Sequence, residues 1–266
     1  LMYRFLTLLL LLFLGSCSQQ KTTEPEYTLV WSDEFEQEEN KVNTAKWFQE
    51  TVAPNNGSWY NNERQHYTDR EDNAQVSEGS LKIIAKKEDY SHSGTTQPYT
   101  SARLNSKFSF TYGKVVVRAK LPRAQGTWPA IWTLGSNLET VGWPGCGEID
   151  IMEQLFEDFD MIQCAVHTPA TFGDQTIVKQ VAVSDVTQNF HEYSLEWTPE
   201  KLEFFVDDQV YFTYSPEIKT LENWPYFNDQ YILLNIAMGG NLGGEIDPNF
   251  SQDTMEVDFV RVYQKR

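Results

Sequence analysis

Glu148, Asp150 and Glu153 place three carboxyl groups within the run Gly147-Glu148-Ile149-Asp150-Ile151-Met152-Glu153. Two carboxyl groups flanking one glycosidic bond are enough to cut it, one as acid and the other as nucleophile or base. Side chains alternate between the faces of a strand, so Glu148 and Asp150 point one way and Ile149 and Ile151 the other. Strict alternation sends Glu153 to the apolar side. A one-residue bulge at about Ile151-Met152 would bring it back, and bulges re-aim side chains beside active sites. An acid-rich strand is more often a solvated sheet edge. Here Trp143, the Gly145-Cys146-Gly147 approach and the apolar Ile149 and Ile151 argue for a wet, functional face over a core.

The elements that must carry this strand are short. Ser80–Ala85, Lys114–Ala119, Tyr193–Trp197, Leu202–Val206 and Val257–Tyr263 each alternate, and Asp207-Asp208 is a hairpin turn signal. No helical period exceeds two turns; Ser215–Trp224 has room for one short turn of helix. Regularly spaced strands in a chain of 266 residues with 14% aromatics predict an all-β sandwich of two antiparallel sheets or a jelly roll. A net charge of -17 argues against nucleic acid and polyanionic substrates as partners. The loop Asn55–Glu63 is rich in amides and aromatics. Gly239-Gly240-Asn241-Leu242-Gly243-Gly244 lacks the Lys-Ser/Thr of a phosphate cradle and reads as tight turns or close backbone approach. Four scattered His and no H-e-x-x-H pattern argue against catalytic metal.

Arg4 followed by the apolar run Phe5–Leu14 reads as an export signal over 1–16, too short to span a membrane. Leu14-Gly15-Ser16-Cys17 resembles the bacterial lipobox, which implies lipidation at Cys17 and an unstructured tether over 17–26. The expectation is a cell-envelope lipoprotein, in the outer membrane, touching the membrane only through its lipid. Cys146 shares parity with Glu148 and is expected to face the cleft, with Cys164 facing the core. The two are therefore expected to stay free thiols, even where a disulfide is permitted.

The chain resembles glycoside hydrolase family 16, and within it the laminarinase-like endo-β-1,3-glucanases. The resemblance rests on Trp31-Ser32-Asp33-Glu34-Phe35, Asn61–Thr68, Thr100–Leu104, Gly126–Trp132, the acidic run and Phe190–Tyr193, in that order over nearly all of 27–264. It implies a jelly roll whose concave sheet forms an open cleft. Glu148 would be the nucleophile, Glu153 the acid and then the base, and Asp150 their hydrogen-bonding neighbour. Asn61, Arg103 and Asn235 match sugar-binding positions. Trp128, Trp132 and Trp143 are expected to bind substrate: the first two share strand parity and line the cleft, and Trp143 sits just before the acidic strand. Trp31, Trp47 and Trp197 read as core, and Trp59 remains open between core and cleft. His167 ends a strand expected to pair with the acidic one, which places it beside the carboxylates with a substrate-binding role in the cleft. The resemblance also implies a structural calcium, remote from catalysis, at Glu34, Gly79 and Asp258; no cofactor is expected for the reaction itself. The expected activity is retaining endo-hydrolysis of β-1,3-glucan by a monomer. The alternatives are a mixed-linkage β-1,3-1,4-glucanase, a galactanase of the same fold, and a non-catalytic β-glucan-binding protein.

Overall fold

The structure, a computed structural model, describes residues 26–37 and 40–265. The expected leader, the lipidated Cys17 and all of the tether but Glu26 lie outside the described residues. The chain opens with β1 (Tyr27–Asp33), β2 (Trp47–Gln49), β3 (Gln65–Tyr67), β4 (Ala74–Ser77), β5 (Ser80–His92) and β6 (Thr95–Ser101). It continues through β7 (Arg103–Phe110), β8 (Gly113–Lys120), β9 (Thr127–Gly135), β10 (Glu148–Leu155), β11 (Asp158–His167) and β12 (Ile177–Ala182). The last strands are β13 (His191–Trp197), β14 (Leu202–Val206), β15 (Gln209–Tyr214), β16 (Gln230–Met238) and β17 (Gln252–Lys265).

These strands form two sheets. One runs β15-β14-β13-β8-β17-β5-β6-β3, with β1 added on β17 and β4 on β5; the other runs β12-β11-β10-β9-β16-β7-β2. Pairing is antiparallel except between β3 and β6. Alternation explains the sandwich. Leu81, Ile83 and Ala85 of β5 and Val115, Val117 and Ala119 of β8 enter one core with Ile149 of β10, Ile162 and Val166 of β11, and Ile232, Leu234 and Ile236 of β16. Asp207 and Asp208 both take left-handed φ, the conformation of a two-residue hairpin turn, and Val206 pairs with Gln209 across them.

Two local expectations change. Ser215–Trp224 contains no helix; one hydrogen-bonded turn, from Trp224 N–H to Thr220 O, is closed by Asn223 accepting the Thr220 N–H. The short helices lie elsewhere, as α1 (Leu138–Val141) and as α2 (Gly240–Gly243) inside the glycine-rich loop. That loop is tight against protein: a side chain at Gly240 would meet the Asn61 carbonyl at 2.9 Å and the Trp128 ring at 3.2 Å.

Cys146 needs a correction. It is completely buried, covered by Leu134 and Leu233 in a small cluster apart from the main core, so it does not line an open cleft. Cys164 lies in the main core as expected, and both thiols are free. Trp47 and Trp197 are core, Trp31 packs on the core edge, and Trp59 is buried against Tyr67. No helix among the described residues is long and apolar enough to cross a membrane.

Candidate active site

The expected bulge is present, and it decides the site. On one side β10 pairs Glu148 with Leu134, Asp150 with Trp132 and Glu153 with Ala130, with a register shift between Asp150 and Met152. On the other it pairs Glu148 with His167, Asp150 with Ala165 and Glu153 with Gln163. Ile151 and Met152, successive residues, both point into the core. Directly paired residues share a face, so Glu148, Asp150 and Glu153 stand in one column on the outer face of this sheet.

Each carboxyl group is held by specific donors. Glu148 Oε2 accepts the Trp143 indole N–H at 3.0 Å. Glu153 accepts the Trp128 N–H on Oε1 and the Gln163 amide on Oε2, each at 3.0 Å. His167 Nε2 lies 2.9 Å from Asp150 Oδ2 and 3.5 Å from Glu148 Oε1, and Thr176 Oγ1 lies 3.3 Å from its Nδ1. Tyr226 donates its hydroxyl to the backbone carbonyls of both Glu148 and His167, pinning the two strand ends together. Gly147 must be glycine: its φ is +77°, and a Cβ there would come within 2.7 Å of the Tyr226 ring.

Burial sets the electrostatics. It raises the pKa of Asp150, and it is the first cause of the rise at Glu148 and at Glu153, where the charge of Asp150 adds to it. Glu153 is pushed up to about 7, the range of a proton donor at neutral pH. Carboxyl groups this close hold fewer than three negative charges and titrate as a group. Between the neighbours Glu148 and Asp150, the Glu148 side chain keeps more exposure, 18% against 6%, and receives an indole N–H, both of which favour its charged form. Asp150 and His167 are within hydrogen-bond distance and can hold one proton between them. Glu148, Asp150 and His167 each also bring one potential ligand atom within 4.8 Å of the others.

The aromatic and amide residues flank this column. Trp132 donates its indole N–H to Asn235 Oδ1 at 2.8 Å, and Asn235 Nδ2 donates to the Tyr67 hydroxyl. Arg103, ion-paired with Glu50, lies 4.7 Å from the Trp132 ring and 5.4 Å from the Trp59 ring. Asn61 stands in an exposed left-handed turn, its carbonyl accepting the Asn241 N–H. Asn235 is buried, with its amide engaged at both ends, so its first role is to anchor the Trp132 platform.

The whole arrangement matches a known family: residues 61–261 fit the model for glycosyl hydrolases family 16.

The chain belongs to glycosyl hydrolases family 16.

It is 39% identical to a β-glucanase of Rhodothermus marinus, over 94% of this chain and 89% of that one. A crystal structure of LamA from Zobellia galactanivorans with laminaritriose and laminaritetraose superposes with a TM-score of 0.82 at 46% identity, covering 89% of this chain and 99% of that one. The catalytic domain of an endo-1,3-β-glucanase (laminarinase) from Thermotoga petrophila superposes at 0.84 with 36% identity, covering 91% and 100%. These solved structures carry the jelly-roll assignment.

Several residues of this family 16 site escaped the sequence reading. Gln163 was accessible to it, because the bulge itself puts Gln163 opposite Glu153. Glu50 and Tyr226 were not, since each reaches the site from a segment distant in sequence; Glu63 and Tyr67 lie within the Asn61–Thr68 motif, but their partners appear only in the fold. Glu63 is enclosed with Gln65 and Tyr67 donating to its Oε2, and burial raises its pKa.

Proposed function

We propose that the protein hydrolyses internal β-1,3-glucosidic bonds of laminarin-type glucans with retention of configuration. The observation that carries this reading is the bulge at Ile151-Met152, which puts Glu153 in one column with Glu148 and Asp150. Glu148 attacks the anomeric carbon while Glu153 protonates the departing oxygen, giving a glycosyl-enzyme ester and a free chain end. Glu153, now a carboxylate, takes a proton from water, which displaces Glu148 and restores the starting state. Such a mechanism requires the two carboxyl groups about 5–5.5 Å apart. Asp150 and His167 take up charge beside Glu148 as it leaves and re-forms. Trp132, stacked under Arg103 and fixed by Asn235, offers a flat apolar face to a sugar ring, and Asn61 an amide to its edge. The full set of carboxylates and the laminarinase relatives favour hydrolysis of β-1,3-glucan over mixed-linkage, galactan or purely binding roles.

Reducing-end release from laminarin, mixed-linkage glucan and agarose tests the specificity; binding without release on all three defeats the enzyme reading. Azide separates the roles of the two glutamates. With Glu148→Ala it is expected to give the α-glycosyl azide, and with Glu153→Ala the β-glycosyl azide. The opposite pairing would reverse the assignments.

Lipidation at Cys17, an outer-membrane location and monomeric action belong to the same proposal and are tested by mass of the mature N-terminus, fractionation and sedimentation. So does a structural calcium. Asp33 pairs with Val260 and Val257 with Leu81, which brings Glu34, Gly79 and Asp258 to neighbouring positions on the sheet opposite the site. Arg261 holds the Glu34 carboxylate and Arg118 holds Asp258 Oδ2. A cation there would draw on backbone carbonyls and Asp258 Oδ1, the hard oxygens calcium takes. A lower melting temperature in chelator, restored by calcium, supports it; an unchanged one overturns it.

A further inference from the structure

The strands order the site across the sheet. Arg103 on β7, Asn235 on β16 and Trp132 on β9 lie to one side of the carboxylates on β10, while β11 and β12 lie to the other. Beside the carboxylates and His167 two large aromatic rings stand open: Trp143, from the segment between β9 and β10, and Phe172, from the segment between β11 and β12, each 45% exposed. Their centroids are 5.6 Å apart at an interplanar angle of 82°, an edge-to-face pair, and Trp143 also lies 5.8 Å from the His167 ring.

The loop that carries Phe172 is held at several points. Thr168 and Thr171 close a bridge across its start, with their hydroxyls 2.9 Å apart. Ala170 N–H donates to the Glu222 carbonyl. Thr176 binds back to the Gly173 carbonyl and lies against His167 Nδ1. A fixed aromatic left open to water bears a standing hydration cost, and fixing it beforehand lowers the ordering cost of a ligand. The indole N–H of Trp143 is already spent on Glu148, which leaves this pair with apolar ring surface rather than hydrogen bonds to offer.

The structure assigns Phe172 to the substrate cleft, where it extends the aromatic surface of Trp143, itself expected to bind substrate, on the β11–β12 side of the carboxylates opposite Trp132, and sets how far binding of glucosyl rings reaches on that side. This rests on the glucanase reading above and deepens it: a chain lying across β10 is gripped on both sides of the bond to be cut, and no residue of the 168–176 loop had been given a role. Phe172 acts through binding and takes no part in bond making.

The test compares the wild type with Phe172→Ala, Phe172→Trp and Phe172→Leu on reducing-end-labelled laminarihexaose, reading kcat/KM and the position of cleavage, with melting temperature as a folding check. Phe172→Ala and Phe172→Leu are expected to lose about three- to tenfold in kcat/KM, carried by KM, and to shift the cut along the chain. Phe172→Trp is expected to restore both. Unchanged KM and cleavage position in a folded Phe172→Ala protein overturn the assignment. A loss that Trp does not restore overturns the stacking role. If the wild type fails to cut laminarihexaose at all, it is the glucanase reading that falls.

Discussion

His167 stands directly opposite Glu148 across the β10–β11 ladder yet makes its shorter contact diagonally, to Asp150, at 2.9 Å against 3.5 Å. The imidazole therefore serves Asp150 first and the nucleophile second. It can offset the charge of the column without sitting between Glu148 and the sugar.

Asp150→Asn keeps the shape of the column but removes the group able to share a proton with His167. It is expected to cut kcat by about 10²-fold, within the range of positioned acid–base groups, with KM little changed. His167→Gln, which keeps a donor, is expected to cost less than His167→Ala. Steady-state kinetics on laminarin decide it, and equal losses for the two His167 variants would show that the contact to Asp150 is unimportant.

Trp128→Phe keeps an aromatic ring but removes the N–H that Glu153 Oε1 accepts. A donor to a carboxylate favours its charged form, so losing it raises the pKa of Glu153 further. The alkaline limb of the kcat/KM profile, expected near pH 7 from Glu153, is predicted to move to higher pH. A limb that stays in place or moves to lower pH would remove Trp128 from the tuning of the acid.

The three raised carboxyl groups also set a sign for stability. Below the unfolded pKa, near 4, both states hold these protons and the groups contribute no difference. As pH rises toward 7 to 8 the unfolded chain releases protons that the fold retains, so the unfolded state binds fewer protons and stability falls. Glu148→Gln or Glu153→Gln should accordingly raise the melting temperature at pH 8 by about 2–4 °C and leave it nearly unchanged at pH 4. Melting curves at the two pH values test this; equal shifts at both would mean the effect is packing rather than ionisation.

Gly147→Ala forces a side chain into left-handed backbone against the Tyr226 ring. The expected cost is about 1–3 kcal/mol, with activity lost beyond the stability loss because Tyr226 also holds the Glu148 and His167 carbonyls. Denaturant melts together with specific activity at low temperature would show whether the two losses separate.

The chemistry of this protein was legible along the chain because it depends on residue type and parity, which are local. Glu148, Asp150 and Glu153 declared a two-carboxylate hydrolase, and the fifth-position offset of Glu153 required a bulge before any strand had a partner. The ordered motifs from Trp31 to Tyr193 pointed to family 16, and alternation in β5, β8 and β17 to a sandwich. Parity could not say what covers a face. Cys146 shares the side of Glu148, but Leu134 and Leu233 arrive from β9 and β16 and close over it. Gly147 is glycine because of Tyr226, 79 positions later in the chain. Tyr67 reaches Asn235, and Arg103 reaches both Trp59 and Trp132, only once β3, β7, β9 and β16 have packed. Which carboxyl group keeps its charge follows from burial and donors, and both are properties of the assembled sheets.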